Sequence, residues 1–313
     1  MRALKFNRVG EVEVTDEPEP RLGEGEVLVH TAFAGICGSD LHGIRPGGYR
    51  TPPLIMGHEF AGITDDGRRV AVNATLSCGE CDMCRSGREH ICRNRKILGI
   101  DRQGGLAERV AVPESALLDL SPTTSLRAGA LVEPLAVAVR GWRRSGAQAG
   151  DRVGIVGAGN IGLLLLAVGR DSGAEITITD VSPSRRGMAE REGGATVAQA
   201  LDGEYEVIFD AVGSTEVHLA SVRHLAPGGT AVWIGSRSPD PAFDALDLVR
   251  SEKNVIASFA YTEDDFRRAA ELASSLSLDW VEIVALEQSD GVFMDLYRGE
   301  TDIVKAVVQT GAE

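Results

Sequence analysis

"RVGIVGAGNIG", residues 152–162, decides the fold. A short run of Val and Ile reads as a strand, the glycines that follow as a turn, and "NIGLLLLAVG" as a helix. Short glycine patterns recur by chance. This one sits between a strand and a helix, the setting that gives the pattern its meaning. Gly157 permits the tight turn, Gly159 lets the backbone approach a pyrophosphate, and Gly162 allows close helix–strand packing. Asn160 and Ile161 open the helix, whose N-terminus turns its partial positive charge toward the phosphates.

Toward the C-terminus the same grammar repeats. "EITITD" ends in Asp180, eighteen residues after Gly162. A carboxylate there accepts hydrogen bonds from both ribose hydroxyls of an adenosine and repels a 2′-phosphate, which favours NAD over NADP. Arg185 and Arg186 follow closely and could greet that phosphate instead. Asp180 could also cap the helix expected from Pro183, although Ser182 can do so as well. "YEVIFDAVG", "GGTAVWIG" and "NVIASF" supply further apolar strands. Short strands alternating with helices predict a parallel sheet covered on both faces.

Toward the N-terminus the pattern is different. "EVEVTD" at 11–16, "EVLVHTAFAG" at 26–35 and "RRVAVNA" at 68–74 read as strands separated by Gly and Pro. Helical periods begin with "RAGALVEPLAVAVRGWRRSG" at 127–146, a buried helix broken or started near Pro134. After residue 260, "TEDDFRRAAELASSL" reads as a capped amphipathic helix and "DIVKAVVQT" as a strand. The expected class is α/β in two domains, with the last segment rejoining the first.

The 313 residues carry a net charge of −14, which argues against general nucleic-acid binding. The start, "MRALKFNRVG", lacks the apolar core of a secretory signal. The run "IGLLLLAVG" is about half the ~20 residues that span a bilayer. We therefore expect a cytosolic protein with no membrane partner.

Four of the five cysteines, Cys78, Cys81, Cys84 and Cys92, lie within "CGECDMCRSGREHIC". An odd, clustered set is a poor disulfide framework. Short spacings on a Gly-containing loop instead let four sulfurs converge on one Zn²⁺, and four protein ligands make such a zinc structural. Arg85, Arg88, Arg93, Arg95 and Lys96 surround the loop in sequence and could offset its negative charge. A nucleic-acid-binding zinc ribbon would need basic residues beyond the loop, and they are missing.

With these signals placed, the chain resembles the zinc-dependent medium-chain dehydrogenase/reductase superfamily over nearly its whole length. The residues that carry the resemblance are "CGSDLH", "GHEFAG", "CGECDMCRSGREHIC", "GGLAERVAVP", "VEPLAVA", "GAGNIG" and "DAVG". They look like the polyol, threonine and sugar dehydrogenase branch. The resemblance implies a GroES-like catalytic domain over residues 1–136 and 261–313, a Rossmann domain over 137–260, and a catalytic zinc in the cleft between. It implies Cys37 and His58 as zinc ligands. The ethanol branch takes its third ligand from a cysteine where this chain has Glu133. The polyol branch uses the glutamate of "GHE", here Glu59. We expect Glu59 and Glu133 to share or exchange that role.

By the same resemblance Asp40 would orient the His58 imidazole from behind, Ser39 would contact the substrate hydroxyl, and His42 would carry the proton outward. Taken singly, Ser39 and Asp40 also suit a turn and His42 a surface position. The implied reaction is hydride transfer between a secondary alcohol (polyol, cyclitol, sugar or amino alcohol) and the nicotinamide of NAD. Zinc would lower the pKa of the alcohol and polarise the carbonyl in reverse. A homodimer or homotetramer is implied as well. Two rival readings keep part of this picture: an NADPH-linked carbonyl or enone reductase of the same fold, and a non-catalytic NAD-binding zinc protein. Two departures stand out. "ITDDG" shortens the segment after "GHEFAG", and "GIRPGGYRTPPLIM" carries Arg45, Tyr49 and Arg50, which could read a substrate or face solvent.

Overall fold

The computed structural model describes residues 1–235 and 244–311; the rest of the expected domain spans, 236–243 and 312–313, lies outside the described residues. The chain divides into two compact units, Met1–Glu133 with Thr262–Glu313, and Pro134–Tyr261.

The second unit is built on six parallel strands. Their order across the sheet is Thr196–Ala198, Glu175–Thr179, Arg152–Val156, Tyr205–Asp210, Leu225–Trp233 and Asn254–Ala257. The chain order reverses between Arg152–Val156 and Tyr205–Asp210. Sheets of this kind bind ligands outside the carboxyl ends of the strands at that reversal. Helix Asn160–Gly169 buries Leu163, Leu164, Leu165 and Leu166, as expected for a helix apolar on every side. Gly169 lets the Trp142 ring lie against it, and Trp142 stacks on Phe209 at 5.2 Å. Helix Pro183–Glu192 is capped by Ser182, whose Oγ accepts from Arg185 N, with Pro183 in the first turn. Asp180 is thus left for another task.

The first unit is a β-structure. One sheet runs in the order Leu117–Asp119, Arg69–Val72, Glu59–Thr64, Glu26–Gly35, Lys305–Gln309 and Val281–Ala285, and Arg109–Pro113 also pairs with Glu26–Gly35. A second joins Glu11–Asp16, Arg2–Arg8 and Leu54–Ile55. Leu4, Phe6, Val29, Met56, Phe60, Leu106, Phe293 and Val308 belong to the core. Strand Lys305–Gln309 pairs with Glu26–Gly35, with Val307 opposite Gly35. The shortened segment is a tight hairpin: Thr64 N donates to Arg68 O, Gly67 N donates to Thr64 O, and Gly67 takes φ +85°. Helix Val132–Ser145 starts two residues before Pro134, which sits in the first turn where no amide hydrogen is needed. Helix Glu263–Ala273 is capped by Thr262, and Asp265 returns a bond to the Thr262 amide.

Candidate functional site

Two groups of donors converge in the first unit. In the loop, the sulfurs of Cys78, Cys81, Cys84 and Cys92 stand 3.5–4.0 Å apart along four edges. A tetrahedron with Zn–S bonds of ~2.3 Å has edges of about 3.8 Å, so the sulfurs fit that ion. Amide N–H groups of Cys84 and Arg93 hold the Cys81 thiol down, to about 6. Of the basic residues around the loop, Arg93 is already engaged, with a two-pronged bond to Asp82 at 2.7 and 2.8 Å. It therefore serves the loop's own acid before it can offset a metal site.

The second group is Cys37, His58 and Glu59, whose ligand atoms all lie within 4.8 Å of one another. Cys37 caps the short helix Gly38–Gly43, and Glu59 begins a strand in register with Gly35. The set combines a thiolate, an imidazole and a carboxylate, which suits zinc with a further position open to substrate. Glu133, half-buried at the start of its helix, does not join this group of three.

Asp40 lies beneath His58. Its Oδ2 accepts from Cys37 N at 2.9 Å, its Oδ1 accepts from Arg50 Nη2 at 2.6 Å, and Oδ1 is 3.5 Å from His58 Nδ1. Burial pushes the Asp40 carboxyl up, but Arg50 and then His58 overcome this and hold it at about 2. Burial also opposes a charged His58, yet Asp40 and Cys37 hold it well above the ordinary value. An imidazole surrounded by negative groups attracts a cation, and a metal competes with the proton for it. Ser39 Oγ is 3.3 Å from His58 Nε2, and His42 follows Ser39 by three residues on the same short helix.

Arg50 is turned inward, away from solvent. Its side chain is fully buried with Asp40, and it also donates to Gly99 O and Ser39 O. Tyr49, exposed, donates to Ser39 O, and Arg45 lies over the Tyr297 ring. The segment braces the Gly38–Gly43 helix from outside. Lys305 is the residue sequence reasoning missed. Its Nζ donates to Glu59 Oε2 and, at 2.9 Å, to Ile36 O. Burial works against its charge, but the Glu59 and Cys37 anions raise its pKa above the ordinary value. A lone lysine in the apolar strand "KAVVQ" was the available signal.

In the second unit, Gly157 adopts φ +103°, and a Cβ there would meet Val212 at 2.6 Å. A Cβ on Gly162 would collide with Gly157 O. Gly159 is different: its φ is −81° and a Cβ would meet nothing within 4 Å. The space over Gly159 is kept clear at a helix N-terminus, which fits a pyrophosphate. Asn160 and Ile161 form the first helical turn. Asp180 is nearly buried; Oδ2 accepts from Ala158 N at 2.9 Å and Oδ1 from Ser182 N at 2.8 Å. Arg185 approaches Asp180 Oδ2 to 3.8 Å, while Arg186 donates to the carbonyls of Asp180 and Val181.

A nucleotide-binding parallel sheet joined in one chain to a β-unit with two zinc-type donor groups defines a metal- and dinucleotide-dependent oxidoreductase. Residues 23–122 match the alcohol dehydrogenase GroES-like domain, and residues 160–275 match the zinc-binding dehydrogenase domain. The chain is 30% identical to 2-dehydro-3-deoxy-L-galactonate 5-dehydrogenase of Pseudoalteromonas atlantica, over 92% of this chain and 93% of that one. It is 40% identical to L-threonine 3-dehydrogenase of Streptomyces coelicolor, over 80% and 82%. Among solved structures, a Sinorhizobium meliloti protein described as a zinc-binding dehydrogenase, bound to NADP, superposes with a TM-score of 0.92 at 29% identity. The two cover 98% of each other. The chain belongs to the zinc-dependent medium-chain dehydrogenase/reductase family, in its polyol and sugar branch. It is an alcohol dehydrogenase in the broad sense, using zinc and a nicotinamide dinucleotide. None of the helices described is long and apolar enough to cross a membrane.

Proposed function

We propose that the protein oxidises a secondary alcohol bearing neighbouring polar groups (a polyol, cyclitol, sugar or amino alcohol) with NAD, and reduces the matching carbonyl in reverse. The observation that carries this is the convergence of Cys37, His58 and Glu59 within 4.8 Å, beside a serine hydroxyl. These three side chains would hold the catalytic zinc, and Cys78, Cys81, Cys84 and Cys92 a structural one. When bound, the catalytic zinc would lower the pKa of the alcohol and the nicotinamide would accept the hydride. Asp40, held by Arg50, fixes the His58 ring with Nε2 toward the donor set. Ser39 takes the hydroxyl proton at Oγ and passes it to His42, one helical turn on. Glu59 carries the carboxylate role, and Glu133 stands by as the alternate donor.

Gly157–Gly162 would receive the pyrophosphate, and Asp180 would accept from the adenosine ribose with the lone pairs left by Ala158 N and Ser182 N. This supports NAD. A second reading, NADP as cofactor, draws on Arg185 near Asp180 and on the NADP bound to the S. meliloti relative. We also propose a homodimer or homotetramer, with no nucleic-acid partner given the net charge of −14. The test is a panel of polyols, sugars, sugar phosphates and amino alcohols, each assayed for reduced-cofactor production with NAD and with NADP. Turnover of a polyhydroxylated or amino alcohol with NAD is expected; turnover of simple primary alcohols alone would overturn the substrate class.

A further inference from the structure

Asp210 lies where the sheet reverses, paired with Val156 across the two central strands. Its carbonyl accepts from Ile234 N at 3.0 Å and Gly235 N at 2.9 Å. Its Oδ1 accepts from Val212 N at 2.8 Å and Gly213 N at 2.7 Å. One residue therefore ties the turn at 211–213 to the end of the next strand. The turn is also wedged: a Cβ on Gly157 would meet Val212, and one on Gly235 would overlap the Gly213 backbone.

Behind the carboxylate stands His218, on helix Thr215–Arg223. Its Nδ1 faces Asp210 Oδ2 at 2.7 Å, and neither atom has another hydrogen-bond partner among the described residues. The imidazole stacks on Trp233 with ring centres 4.1 Å apart. Trp233 Nε1 donates to Ser221 Oγ, which donates to His218 O. Asp210 and His218 are nearly or fully buried, and an apolar pair would fill such a space at lower electrostatic cost. What the Asp210–His218 pair adds is a fixed direction for the Val212 and Gly213 amides.

We infer that Asp210 and His218 are positioning residues for the dinucleotide, holding the 211–213 turn as one wall of the crevice at the strand reversal. This rests on the reading that the cofactor lies along Gly157–Gly162. The pair touches no reacting atom. It acts through the turn and through the Trp233–Gly235 strand end.

Purified wild-type holoenzyme, His218→Phe and His218→Asn test the inference, with NADH binding followed by cofactor fluorescence. Phenylalanine keeps a ring on Trp233 and removes the group facing Asp210, whereas asparagine places an amide N–H close to where Nδ1 stood. The Phe variant should bind NADH at least about tenfold more weakly. Its KM for NAD should rise alongside, with kcat at saturating NAD and zinc content retained. The Asn variant should recover most of the affinity. Wild-type affinity in the Phe variant, or equal losses in both, overturns the inference. If the Phe variant does not fold, Asp210→Asn replaces it; the same loss is expected, and undiminished affinity there overturns the inference equally. Gly159→Val separates this from the cofactor site itself, because a Cβ there meets nothing within 4 Å and the added side chain would stand where the pyrophosphate is placed. Undiminished NADH binding in that variant would sink the site, and the inference with it, whatever His218 does.

Discussion

Lys305 and Glu59 form an ion pair sealed from water, with their side chains 2% and 1% exposed. The pair lies over Gly35, where any Cβ would strike the Glu59 carboxylate, so three neighbouring strands are committed to this one contact. In the metal-free protein, Lys305→Met should leave a buried carboxylate without its cation and cost about 3–5 kcal/mol in denaturant unfolding, and less once zinc is bound at Glu59. A loss no larger than the ~0–1 kcal/mol of a surface pair would mean that Glu59 is neutralised by something else.

Metal analysis of the purified protein should find two zinc ions per chain, one for each donor group. Cys78→Ser should lower folding yield and stability, since a structural zinc contributes folding free energy directly. Cys37→Ser should keep the fold and abolish turnover. Two mutants that behave alike would end the division between structural and catalytic metal.

Asp180→Ala should shift cofactor preference toward NADP, chiefly by raising the KM for NAD. The structure adds a second reason for that rise: the carboxylate also braces Ala158 N in the glycine turn. Steady-state kinetics with both cofactors decide the matter. A wild-type enzyme faster with NADP would show that Arg185 outweighs Asp180.

His42→Ala should slow alcohol oxidation more at pH ~6–7 than at pH ~9–10, where other bases take up the proton, by up to ~10²–10⁴-fold if proton transfer limits the rate. Added imidazole should restore part of the loss, and NAD affinity should change less. Rates unaltered across that range would leave Ser39 and solvent to move the proton.

The parallel sheet was legible because its strands are short apolar runs punctuated by glycine, and each run needs no distant partner to be recognised. "EVEVTD" and "EVLVHTAFAG" became strands with the expected bounds for the same reason. The cysteine loop was legible because its ligands are neighbours in sequence. What escaped were relationships between distant residues. Lys305 meets Glu59 across 246 positions, and nothing local to "DIVKAVVQT" names its partner. Arg50 looked like a cation that either reads a substrate or faces solvent, because its anion, Asp40, is reached only when the loop folds back on the short helix. His218 carried no motif at all; its meaning comes from the helix that lays it against Asp210.

The placement of strand Lys305–Gln309 between Glu26–Gly35 and Val281–Ala285 bears on how the chain matures during synthesis. The Pro134–Tyr261 unit is continuous, so all of its strands are synthesised before Lys305–Gln309. The β-unit, begun first, keeps a gap in its sheet until Lys305–Gln309 is made. Until then Glu59 has no lysine and the Phe33–Gly35 end of its neighbouring strand lacks a partner on that side, an open invitation to another nascent chain. A chain halted ahead of Lys305 would therefore carry a finished nucleotide fold beside an unfinished metal site, which makes this one strand the part that quality control has most reason to inspect.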